Sequence, residues 1–247
     1  MHAIMLAAGR GLRLSGGGGD LPPKALLRFG GKSLLRRHIE ALRAAGVDRL
    51  TLVVGHRADE IQAELVAIGA DGWVETIFNP RYREGAVVSL WTARQVLCGG
   101  ADILFMDADV LYHPDVLRRL ASSPIRNCLL IDRQIEPDEE AVKICLRAGR
   151  IVEFGKVVEG AFEVLGEWPG FLRLEPDLAS ELATTVDRFV VAGRGEEPYE
   201  PAIRELLLAG SPDRFGVEDI GGLPWIEIDT PEDLQRAREK VLPALGE

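Results

Sequence analysis

The chain has 247 residues, 47% of them hydrophobic and 28% charged; this balance excludes a disordered or fibrous protein and leaves room for a sizeable core. A formal net charge of −10 opposes a nucleic-acid surface, which would be basic. No apolar run approaches the roughly 18 residues that a membrane-spanning helix needs, and residues 1–6 carry no basic leader, so a cytoplasmic protein without membrane insertion is expected.

Residues 2–7 form an apolar run ending in Ala8-Gly9, the pattern of a buried strand followed by a loop. A glycine-rich stretch, 9–19, follows. The spacing of Leu34, Leu35, His38, Ile39 and Leu42 predicts a helix over 33–45, with Ser33 as N-cap and Gly46 as stop. Further strands are predicted at 49–55, 74–78 and 102–106, and further helices at 58–68, 89–97 and 114–121. Strand and helix alternate over short connections, the signature of a parallel sheet with helices on both faces. Ligands on such a sheet bind at the carboxyl ends of the strands. The second half is less regular. Strands are predicted at 127–132, 143–146, 150–158, 171–174 and 225–228, and helices at 178–186 and 201–209. A terminal helix over 231–241 has Thr230 as N-cap and Pro231 at its first position. Cys98, Cys128 and Cys145 are far apart and read as reduced core thiols. The four histidines (His2, His38, His56, His113) have no ligand spacing and read as structural. The expectation is one α/β domain over 1–247: a mostly parallel Rossmann-like sheet sandwiched by helices, with a small lobe or lid inserted after the fourth helix.

Chemistry concentrates at the predicted strand ends. In Leu6-Ala7-Ala8-Gly9-Arg10-Gly11-Leu12-Arg13, small residues let the backbone approach a ligand, and consecutive N–H groups make an anion nest. The loop is neither a P-loop nor a G-x-G-x-x-G dinucleotide loop, which counts against an oxidoreductase. Arg13 supplies a fixed charge suited to phosphate, and Pro22-Pro23 stiffen the approach to Lys24, a second cation facing the nest. Asp107 and Asp109 end an apolar strand two positions apart, as do Glu227 and Asp229. Paired carboxylates repel unless a cation joins them, and Mg²⁺ prefers one or two carboxylates plus phosphate oxygens. Capping roles for Asp109 and Asp229 remain the alternative.

The segments Leu6 to Arg13, Pro23-Lys24-Ala25-Leu26-Leu27 and Gly30-Gly31-Lys32-Ser33-Leu34-Leu35 resemble the opening of the nucleotidyltransferases that activate small phosphates and sugar phosphates. Phe105-Met106-Asp107-Ala108-Asp109 looks like their metal strand, and Trp225-Ile226-Glu227-Ile228-Asp229-Thr230 like their closing strand. Asn79-Pro80-Arg81-Tyr82 followed by Ser89-Leu90-Trp91 is similar to the bacterial choline-phosphate and aminoethylphosphonate cytidylyltransferases, with the inositol-phosphate enzymes also close. The stretch between, Arg83 to Val88, departs from them by lacking an expected asparagine and being about one residue shorter.

The resemblance implies a nucleotide-binding half over 1–125, an acceptor half and lid over 126–222, and a closing metal strand and helix over 223–247. It implies an Mg²⁺-dependent cytidylyltransferase whose partners are CTP and a small phosphorylated acceptor, best choline phosphate, giving a CDP-linked product and pyrophosphate; a homo-oligomer is compatible with it. Arg13, Lys24 and Asp107 would be catalytic, and Asp107, Asp109, Glu227 and Asp229 would hold the metal. Leu6, Ala7, Ala8, Gly9, Gly11, Asn79, Gly85, Ala86 and Ser89 would bind the nucleotide. Lys156, Glu167, Trp168, Gly170, Tyr199 and Glu200 would bind the acceptor, Trp168, Tyr199 and Glu200 as an aromatic–acidic box for a quaternary ammonium. Alternatives are an inositol-phosphate or sugar-1-phosphate acceptor with CTP, UTP or GTP, and a non-catalytic nucleotide sensor on the same fold.

Overall fold

A computed structural model describes residues 1–14, 21–134 and 139–246. Residues 15–20, which include the latter part of the glycine-rich stretch, lie outside the described residues. A seven-stranded sheet runs in the order Gly216–Asp219, Cys128–Ile131, Phe171–Leu174, Ile103–Asp107, His2–Ala7, Arg49–Val54, Val74–Phe78. All neighbours are parallel except Phe171–Leu174, which runs antiparallel to the strands on both sides. The sheet is therefore mostly parallel, and its inverted strand sits near the middle.

Alternation along the strands builds a core on each face. Ile4, Val53, Phe105, Leu129 and Leu172 face one way, under the helices Ala86–Thr92, Pro176–Val191 and Glu200–Leu208. Ala3, Met5, Leu50, Leu52, Leu104 and Met106 face the other, under Leu34–Ala44, Ala58–Ala67 and Pro114–Ser122. The helix Leu34–Ala44 shows why these segments fold as they do. Ser33 Oγ accepts from the Arg36 N–H at 3.1 Å, and Gly46 ends the helical run with φ +75°. Its Leu35, Ile39 and Leu42 are buried, each contributing about 2 kcal/mol. Among the described residues, no helix is long and apolar enough to cross a membrane.

Several elements differ from the sequence reading. The helix predicted over 89–97 starts earlier, at Ala86, and breaks at Ala93 into Ala86–Thr92 and Arg94–Leu97; the β-branched pair Val87-Val88 hides its first turn in the pattern. Short strands at Val110–Tyr112, Val164–Glu167 and Gly216–Asp219 were not expected. The inserted lobe is a three-stranded antiparallel sheet, Arg150–Gly155, Lys143–Arg147 and Val164–Glu167. It follows the strand Cys128–Ile131 rather than the fourth helix directly. The terminal helix is segmented, with Pro231–Arg236, a π-helical turn at Ala237–Val241 and Leu242–Ala244. Cys128 and Cys145 are buried, but Cys98 is exposed, which corrects its assignment as a core thiol.

His38 is fully buried, and burial pulls its pKa down to about 4, against the raising effect of the Ala108 carbonyl and Asp109 and with a small lowering effect from Arg37. Its folded-state value lies below the unfolded value, so its contribution to stability is complete above about pH 6.5 and is lost as pH falls towards 4. Stability is expected to be about 2 kcal/mol lower at pH 5 than at pH 8 through this residue alone. Denaturant unfolding at the two pH values measures the slope, and a variant with His38 replaced by Gln is expected to flatten it.

Candidate active site

The carboxyl ends of His2–Ala7 and Ile103–Asp107 open into a cleft of about 470 Å³. Leu6 pairs in register with Asp107, so the start of the glycine loop and the first aspartate are set side by side by the sheet. After Asp107 the chain bends through Ala108 and Asp109 and returns as Val110–Tyr112. That short strand pairs antiparallel with Trp225–Glu227, placing Glu227 opposite Val110. The Ile228 N–H donates to the Asp109 carbonyl at 3.0 Å. Asp229 follows at the start of the next helix, where Thr230 and Asp233 form a capping box and Asp233 also accepts from the Asp229 N–H at 3.2 Å. Two distant parts of the chain thus deliver three carboxylates to one place. Oxygens of Asp109, Glu227 and Asp229 lie within 4.8 Å of one another.

Lys24 enters this cluster from the 3₁₀ turn Lys24–Leu26. Its ammonium donates to Asp109 at 2.9 Å and to Asp229 at 2.5 Å. Burial opposes its charge, but the two carboxylates outweigh it and raise the lysine's pKa. Arg13 donates to the other oxygen of Asp229 at 2.8 Å. Burial alone would raise the Asp229 pKa; Lys24 and Arg13 hold it below the usual carboxylate range. Glu227 is exposed, yet the enclosing surroundings and then the charges of Asp109, Asp229 and Asp107 push its pKa up.

The donor set suits a hard divalent cation. Three carboxylates converge, with Lys24 among them and Arg13 on the outer oxygen of Asp229, so the cluster offers several oxygen ligands of the kind Mg²⁺ prefers. Asp107 stands apart. The Tyr199 hydroxyl donates to its carboxylate, and Gly170, at φ +88°, packs so closely that a Cβ there would lie 2.8 Å from Asp107 Oδ2. Burial and then Asp109 raise the Asp107 pKa.

The other residues named from the sequence fall into two groups. Leu6, Ala7, Ala8, Gly9, Gly11, Arg13, Ala86, Ser89, Lys156, Tyr199 and Glu200 line the cleft together with Lys24 and the acidic residues. Asn79, Gly85, Glu167, Trp168 and Gly170 are not among its lining residues. Asn79 is fully buried, donates to Ser89 Oγ at 3.0 Å and accepts from the Arg81 N–H. Gly85 abuts the backbone of Glu196 and Glu197. Glu167 ends a lobe strand, exchanging backbone hydrogen bonds with Asp132 at 2.9 Å. Trp168 is buried, donates to the Phe171 carbonyl at 2.9 Å and packs edge-on against Phe154 and Tyr199. The expected aromatic box is thus partly core, because its indole is consumed by packing. Tyr82, Arg83, Glu84, Pro198 and Arg10 also line the cleft and were not singled out. The one signal for Tyr82 to Glu84 was their place in the segment that departs from the cytidylyltransferase pattern.

Residues 3–134, which carry the glycine loop, Lys24 and the aspartate turn, match the family model of the MobA-like NTP transferase domain. The chain belongs to that family. The bifunctional IPC transferase and DIPP synthase of Rubrobacter xylanophilus is 31% identical over 243 residues, covering 97% of this chain and 52% of that protein. This NTP transferase domain therefore spans about half the length of that relative. The CTP:phosphoglutamine cytidylyltransferase of Campylobacter jejuni is 24% identical over 259 residues, covering 97% of this chain and 100% of that protein. Among solved structures, the inositol-1-phosphate CTP transferase from T. maritima superposes with a TM-score of 0.78 at 23% identity, over 99% of this chain and 94% of that one, a likeness of fold.

Proposed function

We propose that this cleft transfers the cytidylyl group of CTP to a small phosphorylated acceptor. An oxygen of the acceptor phosphate bonds to the α-phosphorus, the bond from that phosphorus to the bridging oxygen of pyrophosphate breaks, and a CDP-linked product forms. The observation that carries this reading is Lys24, held between Asp109 and Asp229 at the edge of the Gly9–Gly11 loop. Both reacting phosphates are negative, so the work of the protein is neutralisation and alignment rather than proton abstraction. Lys24 and Arg13 would meet the triphosphate and the departing pyrophosphate, exchanging contacts with Asp229 for contacts with phosphate. Backbone groups of Ala8 to Gly11, with Ala86 and Ser89, would face the ribose and base. Asp109, Glu227 and Asp229 would hold Mg²⁺, which when bound would supply positive charge that neutralises the reacting phosphates. Asp107 is read as a wall of the cleft, with its carboxylate engaged by Tyr199.

On the acceptor side, Lys156 would meet the acceptor phosphate. The cleft lining on this side includes the polar residues Glu200, Glu84, Arg83 and Tyr82. With Trp168 buried, a cage of aromatic faces for choline phosphate is incomplete, and this supports a polyhydroxy acceptor such as inositol phosphate ahead of it. Pyrophosphate release measured with each of the four NTPs against inositol phosphate, choline phosphate, aminoethylphosphonate and hexose-1-phosphates is the test. CTP with inositol phosphate is expected to turn over fastest, by at least about 10-fold over choline phosphate. Faster turnover with choline phosphate reverses the acceptor order, and no turnover with any pair overturns the enzyme reading.

A further inference from the structure

His38 lies on the helix Leu34–Ala44, behind the aspartate turn and outside the cleft. Its Nε2 is 3.1 Å from the Ala108 carbonyl oxygen and its Nδ1 3.1 Å from the Tyr112 hydroxyl. A carbonyl oxygen only accepts, so Nε2 carries the proton and Nδ1 receives the one from Tyr112. The two rings stack with centroids 5.3 Å apart, at 26° between planes. The Ala108 carbonyl shares a rigid peptide plane with the N–H and Cα of Asp109. Fixing that carbonyl therefore fixes the plane from which the Asp109 side chain departs. Tyr112, the second partner, pairs across the two-stranded ladder with Trp225, on the strand that carries Glu227. One buried imidazole thus ties the aspartate turn to the strand against which the closing carboxylates are registered.

We propose that His38 is a positioning residue for the carboxylate cluster: by donating to the Ala108 carbonyl it locks the Ala108–Asp109 peptide so that Asp109 faces Glu227 and Asp229. The inference rests on reading that cluster as a divalent-cation site. The imidazole is neutral in the working pH range, as one tautomer with one donor and one acceptor requires. Outer-shell partners of this kind typically change metal affinity by about 10- to 100-fold when removed.

Glutamine at position 38 can place an amide N–H where Nε2 donates, whereas asparagine reaches only as far as Nδ1. The Mn²⁺ affinity of the intact chain with CTP, read by electron paramagnetic resonance, reports the site without turnover, and thermal unfolding reports stability. His38→Asn is expected to weaken Mn²⁺ by about 10-fold or more, with His38→Gln within about threefold of the parent, although both lose stability to a similar degree. Tyr112→Phe keeps the ring and removes the proton that fixes the tautomer; it is expected to weaken Mn²⁺ by about threefold. Equal weakening by Asn and Gln, or weakening by neither, overturns the proposal. If His38→Asn does not fold, unchanged Mn²⁺ affinity in Tyr112→Phe overturns it. A parent protein that binds no Mn²⁺ removes the cation site itself and the inference with it, an outcome distinct from a parent that binds while His38→Asn binds equally well.

Discussion

Replacement of Lys24 by methionine is expected to lower kcat/KM by about 1,000-fold while tightening the affinity for the metal. The two signs together are diagnostic. The ammonium occupies positions beside Asp109 and Asp229 that a divalent cation also favours, so removing it concentrates negative charge and draws the cation in more strongly. The same removal takes away the charge that would follow the pyrophosphate as it leaves. Methionine preserves the length and most of the volume of the side chain. The variant is expected to lose about 3 kcal/mol of stability at neutral pH, because Asp109 and Asp229 are left with fewer compensating charges. Saturating Mg²⁺ is expected to restore part of that loss. Pyrophosphate release, Mn²⁺ titration and denaturant unfolding with and without Mg²⁺ make the three measurements. Parental kcat/KM in the methionine variant would remove Lys24 from the chemistry.

Gly85→Ala is the second large effect, and its cause is contact rather than conformation. The backbone at Gly85 is ordinary for any residue, with φ −69° and ψ 161°. A Cβ there, however, would lie 2.0 Å from the Glu197 carbonyl oxygen and 2.4 Å from the Glu196 carbonyl carbon. The Gly85 N–H donates to the Gly195 carbonyl at 2.8 Å and the Val87 N–H to that of Glu197 at 3.2 Å. The start of the helix Ala86–Thr92 is thereby sewn to the loop that delivers Pro198, Tyr199 and Glu200. One methyl group must push these segments apart, at a cost of about 3 kcal/mol. Ala86 and Ser89 on one segment and Pro198, Tyr199 and Glu200 on the other line the same cleft, so on the proposed function KM for both substrates is expected to rise. Gly72→Ala is the control: a Cβ at Gly72 meets nothing within 4 Å, so its effect is expected within about 0.5 kcal/mol. Equal stability losses for the two variants would contradict the packing argument.

The first half of the fold was legible because its strands are short, mostly apolar runs and its first helix carries a side-chain cap. Residues 2–7 and 74–78 were placed residue for residue, and Ser33 and Thr230 cap the helices assigned to them. The second half was less so, because its short strands owe their state to distant partners. Val110–Tyr112 reads locally as the tail of a loop and becomes a strand only against Trp225–Glu227. Gly216–Asp219 is polar and gains its ladder from Cys128–Ile131. Nothing local to Phe171–Leu174 announces that it runs against both neighbours. For the site, spacing within a strand brought Asp107 and Asp109 to attention as a pair. It did not separate their surroundings: the bend at Ala108 sends one towards Tyr199 and the other towards Lys24. Asn79, Gly85 and Gly170 share motifs with cleft residues but are absent from its lining, a distinction that a linear pattern does not carry.

The inverted strand also sets an order in time. Phe171–Leu174 separates Ile103–Asp107 from Cys128–Ile131, so the growing sheet keeps a gap at its centre until that late segment emerges during synthesis. Lys24 then waits still longer for Asp229, 205 positions downstream. Contacts of such separation are slow to form and are made late in folding. A nascent chain would therefore carry the glycine loop well before the carboxylate cluster around Lys24 could assemble.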